Sequence, residues 1–379
     1  MDFDLPPDDD PRRLEVRAWL EANPGPTPDE LLDAGYTVPH WPAPWGVEAD
    51  PMHQIVIDEE LRRAGVRRPD NAIGIGWAAP TIQLAGTEEQ KQKWLMPLIE
   101  GRMESGFSMT EPDQPGSDPR SLRTTARRDG DSWVVNGHKW FTSNGLAADF
   151  FIVMCRTDEG DGGGDRNSRM TQIIVPADSP GLEILRGISV WGRPSDHCEI
   201  VYENVRVPLE NQLGETGQGH QAAQDRLGAG RVYHCMNSIG QMWRAFDLMV
   251  ERAANRQVHG GLLESKQFVQ GFIADSYMDI QASRLMTIHC AEKMQDGAFP
   301  RTDISAIKVF VPAAYQRVVD RAIQVWGAAG ITDDLPLATM FQAARSLRIV
   351  DGPDEVHRIL VAKNVLGACR GGGSWDFGN

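Results

Sequence analysis

Long apolar runs are missing from this sequence, and no stretch approaches the roughly 20 residues that a bilayer-spanning helix needs. A basic excess is missing too. With 53 acidic against 38 basic residues and a formal charge of -15, the chain offers no basic stripe for nucleic acid or an anionic membrane. That balance still permits a local basic pocket for a phosphorylated cofactor. Cysteine is scarce: Cys155, Cys198, Cys235, Cys290 and Cys369 are five in number and scattered. They form no Cys-x-x-Cys pair, which excludes a disulfide framework and points to buried free thiols in a reduced cytoplasm. No His, Cys and carboxylate cluster has metal spacing, so no metal site is expected. The opening residues Met1 to Asp10 are acidic and contain proline, unlike the basic start of a signal peptide or the Arg/Ser-rich start of a transit peptide. There is no internal repeat.

What is present is enough for a large core, since 379 residues at 41% hydrophobic suggest two or three structural units. From Arg12 to Met103 the signals are helical: Leu14 to Ala22, Asp50 to Ala64, and a helix capped by Thr87 that runs through Trp94 to Leu98. A Pro/Trp-rich turn spans Pro39 to Gly46. Between Leu122 and Pro208 short β-branched and aromatic runs take over, at Ser132 to Val135, Phe150 to Met154, Gln172 to Val175 and Cys198 to Tyr202. Asp129-Gly130 and Asn136-Gly137 predict turns, and the Gly/Asp-rich Glu159 to Ser168 predicts a mobile loop. Helical periodicity returns over Ala222 to Asn255, Glu264 to Asp296, Thr302 to Trp326 and Pro336 to Leu347, with a last helix from Pro353. Such lengths suit an antiparallel bundle. The expectation is an α+β chain of three domains: helical over 1–105, β over 106–212, and a four-helix bundle over 213–379. The eleven tryptophans are read as packing.

Two stretches carry the chemistry. The first is Phe107-Ser108-Met109-Thr110-Glu111-Pro112, followed three residues later by Gly116-Ser117-Asp118. A bound flavin needs backbone N–H groups and small hydroxyls near its ring edge, and glycine where chain and ligand touch. Thr110, Gly116 and Ser117 supply that mixture, although the same residues also suit a capped loop with no ligand. The second is Ile349-Val350-Asp351-Gly352-Pro353-Asp354-Glu355-Val356-His357. Alone, Asp351 could equally be the N-cap of the helix that Pro353, Asp354 and Glu355 open.

Taken together the two stretches resemble the acyl-CoA dehydrogenase family, and the resemblance covers nearly the whole chain. It implies FAD, an acyl-CoA substrate, a homodimer or homotetramer, and electron-transfer flavoprotein as the electron acceptor. By the same resemblance Phe107 lies in the flavin loop, Met109 and Thr110 bond the flavin's pyrimidine side, and Gly116 and Ser117 border FAD and the CoA arm. Gly137 to Asn144 resembles the second flavin segment, in which an aromatic residue packs on the ring and a hydroxyl two residues on faces its N5 edge. A gap-free match assigns these roles to Phe141 and Ser143; sliding one residue back gives Trp140 and Thr142, which in a strand turns each side chain to the opposite face. The gap-free register is favoured, with Trp140 as packing.

Arg256 to Leu263 with Gln267 resembles the family's Arg-x-x-Phe-Gly-x-x-Leu-x-x-x-Gln pattern, with His259 in place of Phe. There Arg256 would grip the FAD pyrophosphate with its planar fork of donors, and Gln267, Gln324, Gly327 and Ala328 would reach the FAD of a neighbouring subunit. Oxidising a thioester between its α and β carbons needs a carboxylate to take the α-proton and fixed donors to polarise the carbonyl. The family places that carboxylate just before the glycine of a Glu-Gly-Thr-type turn, the position held here by Asp351 before Gly352. Aspartate shortens the reach by one C–C bond, about 1.5 Å. Some members carry the base on the helix that opens the bundle, immediately before an arginine, and that slot is Gly230. Arg231 would then line the thioester site, while His234 beside Tyr233 is read as a packing residue.

The Asp-Gly-Pro-Asp-Glu-Val-His turn and the stretch Arg226 to Met236 are similar to the subgroup of family members ten and eleven, which implies longer or 4-hydroxylated acyl chains. Two other classes remain open. One is an oxygen-using flavoenzyme on the same scaffold, of the nitroalkane-oxidase or flavin-monooxygenase kind. The other is a non-catalytic subunit of a heteromer.

Overall fold

The structure, a computed structural model, describes residues 6–68, 71, 73–118, 121–157, 170–295 and 299–371. The chain divides into two compact units, Met1–Ala223 and Gln224–Asn379. The expected loop at Glu159 to Ser168 lies outside the described residues.

The first unit opens with helices whose starts are written into the sequence. Asp10 caps α1 (Pro11–Ala22), Thr27 and Glu30 form a capping box for α2 (Pro28–Asp33), and Asp50 caps α3 (Pro51–Arg63). Each has a proline just inside the helix, where the missing N–H costs nothing. A π-helical turn, Gly74–Ala78, leads into α4 (Ala79–Ala85). Thr87 and Gln90 form a second capping box at α5 (Glu88–Gln90), and the helical path continues through Lys91–Leu95 into α6 (Met96–Ile99). The Thr87 start was legible in the sequence; α2 and α4 were not.

The strands are β1 (Ser105–Ser108), β2 (Thr125–Asp129), β3 (Ser132–Thr142), β4 (Phe150–Arg156), β5 (Met170–Pro176), β6 (Leu182–Val190), β7 (Arg193–Pro208) and β8 (Gln212–Leu213). They form one sheet in the order β6-β7-β3-β2-β4-β5-β8, with β1 parallel to β4. Strand β4 reads Phe-Phe-Ile-Val-Met-Cys because both its faces are covered. Phe150 and Ile152 pack with Ile82, Leu95 and Leu98 of the helices, while Phe151, Val153 and Cys155 pack with Ile200 and Val205 across the other face.

One expected turn is corrected. Asp129-Gly130 does turn β2 into β3, but Asn136-Gly137 lies inside β3. Asn136 sits at a shift of register against β7, and its Oδ1 accepts the Asn204 N–H (2.8 Å). Glycine is needed at 137 for space: a Cβ there would collide with the Thr124 side chain. The dipeptide marks a bulge and a close approach.

The second unit is helical. It holds most of α7 (Gly219–Asn255), then α8 (Gln267–Gln295), α9 (Arg301–Trp326), α10 (Leu337–Ser346) and α11 (Asp354–Arg370). Met242 and Met249, Ile280, Val311 and Val318, and Leu337 and Met340 share one apolar core, and α11 packs on α9. A two-residue hairpin, β9 (Gln257–Val258) with β10 (Gly261–Leu262), links α7 to α8. His259 and Gly260 both have positive φ there (44° and 78°), as a type I′ turn demands.

Candidate active site

In the first unit, the two segments expected to border a flavin are joined backbone to backbone. Trp140 N–H donates to Thr110 O (3.0 Å), the Thr110 hydroxyl donates to Trp140 O (2.6 Å), and Phe107 bridges Ser143. The cause is β1, which runs beside β4 and delivers Met109 and Thr110 to the end of β3. A second irregularity falls between Lys139 and Thr142, where Phe141 takes φ 49°. It turns the Phe141 ring outward, 43% exposed and edge-on to Trp140 and His197. Thr142 points inward, fully buried, its hydroxyl 3.2 Å from Ser108 Oγ. Ser143 is half-buried. Thr142 therefore has no free edge to offer a ligand, whereas the Phe141 ring is exposed.

The residues present fit a flavin. Gly116 and Ser117 are exposed, and a Cβ on Gly116 would stand 3.2 Å from Thr110 Cγ2, narrowing the space beside the loop. The Thr110 hydroxyl proton is spent on Trp140, which leaves its oxygen to act only as an acceptor.

Beneath this loop lies an ion pair that sequence reasoning missed. Lys139 is fully buried, and its Nζ donates to Met109 O (2.7 Å) and to Glu111 Oε1 (3.0 Å). Glu111 also accepts the backbone N–H groups of Arg123 and Thr124 (2.8 Å each). Burial pushes the Glu111 carboxyl up, but the Lys139 charge and the two N–H donors outweigh it, so its pKa falls below the usual value. The signal in the sequence was a lysine at an inward strand position.

In the second unit, Asp351 and Gly352 form a turn with φ 55° and 96°. Arg231 Nε donates to Asp351 O (3.2 Å), His357 Nε2 bonds the same oxygen (3.1 Å), and Lys308 Nζ donates to Leu347 O (2.6 Å) and Gly352 O (3.3 Å). The Asp351 carbonyl can only accept, so His357 Nε2 carries the proton given to the turn, while Nδ1 faces Ser305 Oγ (3.1 Å). A Cβ on Gly352 would meet His357 Nε2 at 2.8 Å, which with the positive φ explains the glycine. The Asp351 N–H has no acceptor among the described residues.

Asp351 does not cap the last helix. Pro353 holds the N-cap position of α11, with no side-chain cap bond. The Asp351 carboxylate, 8% exposed, instead lies 3.3 Å from His234 Nε2. Here the reading of His234 as packing is corrected: one helical turn beyond Arg231, it faces the same residue. Burial raises the Asp351 pKa, but the His234 hydrogen bond and the charges of His234, Lys308 and Arg231 bring it below its ordinary value. The carboxylate is buried and ionised.

Also in the second unit, Arg256 and Gln267 stand exposed on either side of the β9–β10 hairpin. Gln324, Gly327 and Ala328 are exposed at the end of α9, where Gly327 has φ 66°.

The fold is shared with solved enzymes. Acyl-CoA dehydrogenase from Geobacillus kaustophilus superposes with a TM-score of 0.78 at 26% identity, covering 93% of this chain and 96% of that one. Butyryl-CoA dehydrogenase from Megasphaera elsdenii gives 0.76 at 28% identity, covering 97% and 100%. This defines the class, an oxidoreductase of helices, sheet and helical bundle. The N-terminal, middle and C-terminal domains described for acyl-CoA dehydrogenases match residues 11–102, 106–205 and 217–366, and the chain belongs to the acyl-CoA dehydrogenase family. FadE2 of Mycobacterium tuberculosis, which carries an acyl-CoA dehydrogenase name, is 43% identical over 75% of this chain and 71% of its own. Acyl-CoA dehydrogenase family member 11 of Gallus gallus is 40% identical over 74% of this chain, but the match spans 37% of that protein's length. For member 10 of Mus musculus, 43% identical, the span is 27%.

Proposed function

We propose that this protein is an FAD-dependent acyl-CoA dehydrogenase that converts an acyl-CoA to its 2-enoyl-CoA, with Asp351 as the base. The observation that carries the reading is the Asp351 turn. Its carboxylate is buried and ionised, its carbonyl is tied by Arg231 and His357, and its N–H is left over. Such a turn can do two things at once: the carboxylate takes the α-proton, and the spare N–H donates to the thioester oxygen as charge develops there. Gly352 would border the thioester, and Arg231, with Nε spent on the turn, would line the thioester side. FAD, when bound, supplies the oxidant that accepts the β-hydride.

Met109, Thr110, Gly116, Ser117, Phe141 and Ser143, with Phe107 behind them, would hold the flavin, and Ser117 would also touch the CoA arm. The joined backbones and the outward Phe141 ring support this. Arg256, Gln267, Gln324, Gly327 and Ala328, all exposed, would serve the FAD of a neighbouring subunit in a homodimer or homotetramer. Apolar side chains exposed on α8 and α11, such as Met278, Leu285, Ile359 and Leu366, are what such an assembly would cover. Electron-transfer flavoprotein would be the acceptor. A cytoplasmic setting agrees with five free cysteines, four of them buried. We take the domain boundaries after residues 105 and 212.

The test is Asp351→Asn, which keeps shape but cannot take the proton. Flavin content should match the wild type while reduction by acyl-CoA falls by about 10²–10⁴. Reduction at the wild-type rate would refute the assignment.

A further inference from the structure

The Asp351 peptide is held by three side chains, and none of the three touches its carboxylate. Arg231 of α7 and His357 of α11 take the carbonyl of residue 351, and Lys308 of α9 takes that of residue 352. With φ fixed, the remaining freedom is the two side-chain torsions. Among the described residues the one polar contact of that carboxylate is His234 Nε2, 3.3 Å from Oδ2. We infer that His234 is a positioning residue for the base: it holds one carboxylate oxygen of Asp351 and leaves the other for the substrate's α-proton. The inference rests on the proposed role of Asp351.

The arrangement follows from helix geometry. Positions 231 and 234 are three apart on α7, so they share a face, and that face grips both the carbonyl and the carboxylate of one residue. A short side chain gains most from such a grip, because aspartate cannot make up a wrong direction with length. The Tyr233 ring packs edge-on at 5.9 Å from the His234 ring and helps to fix its plane. The charged or titratable groups facing Asp351 are Arg231 and His234 from α7, Lys308 from α9 and His357 from α11. Of these, His234 does most to keep the carboxylate ionised.

The experiment uses full-length protein labelled with ¹³C at the aspartate carboxyls, the Asp351 resonance being identified by its loss in Asp351→Asn. Its titration is followed in the wild type, in His234→Leu and in His234→Gln, which keeps an N–H donor but cannot take up a proton. The same proteins, carrying FAD, are mixed anaerobically with saturated acyl-CoAs from butyryl-CoA to palmitoyl-CoA. In His234→Leu the Asp351 midpoint should rise by about one unit, and the limiting rate of flavin reduction should fall up to about 100-fold. Acyl-CoA affinity should stay unchanged, and His234→Gln should lie between. A midpoint that coincides with the wild type in both variants, or a wild-type reduction rate in His234→Leu while Asp351→Asn is dead, would overturn this inference alone. Wild-type reduction in Asp351→Asn would overturn the base assignment and this inference with it.

Discussion

Asp351 is an aspartate at φ 55°, a conformation that costs a non-glycine residue about 1–3 kcal/mol and persists only where the surroundings hold it. Arg231, His357 and Lys308 provide that hold. His357 does so as a neutral ring, since burial pulls its pKa from the ordinary 6.5 to about 4, against the opposing pull of its bond to Asp351 O. In the unfolded chain the same ring takes a proton as the pH drops through 6.5. Between those two values the unfolded state binds more protons, so the contribution of His357 to stability is present above 6.5 and is lost as the pH falls toward 4. Thermal midpoints measured across that range should fall more steeply for the wild type than for His357→Gln; parallel curves would dismiss this account. The turn that carries Asp351 was legible in the sequence as Asp-Gly-Pro. Arg231 was expected near that site, but its bond to the Asp351 carbonyl and the His234 contact were not, because α7 lies some 120 residues away in sequence and only the folded bundle brings it to the turn.

At the scale of an element, β3 explains how the loop proposed to hold the flavin is built. Its alternation breaks twice, at Asn136 and between Lys139 and Thr142, and the second break puts Thr142 inward and Phe141 outward. Lys139, between the breaks, fastens the strand to Met109 and Glu111. Removing one partner of a buried pair leaves the other charge uncompensated and costs about 3–5 kcal/mol. Lys139→Met should therefore lower the melting temperature and the flavin content of purified protein, read from the visible-to-ultraviolet absorbance ratio. Wild-type values of both would count against the ion pair as the support of this loop. Strand β4 was readable as an unbroken apolar run, and the long helices α7 to α9 by their period. Strand β1, Ser-Gly-Phe-Ser, has no such signal, since its burial comes from neighbours that the sequence does not name.

For the whole molecule, the order of helices, sheet and bundle was legible because composition changes at each junction. The two compact units meet the three family domains in a consistent way: residues 11–102 and 106–205 fall in the first unit, and 217–366 lies mostly in the second. The helices join the β-domain through a common core, in which Leu98 and Ile99 pack with Phe150 and Ile174. Among the described residues no helix is long and apolar enough to cross a membrane. Acyl length cannot be read from pattern, because a pocket is a shape and not a motif. The measurement that tests the central claim most directly is an anaerobic titration of the visible flavin band with acyl-CoAs of graded length, some 4-hydroxylated. The account predicts bleaching by one set of them with formation of the 2-enoyl-CoA; a bound flavin that no acyl-CoA bleaches, or a protein that binds no flavin, would contradict it.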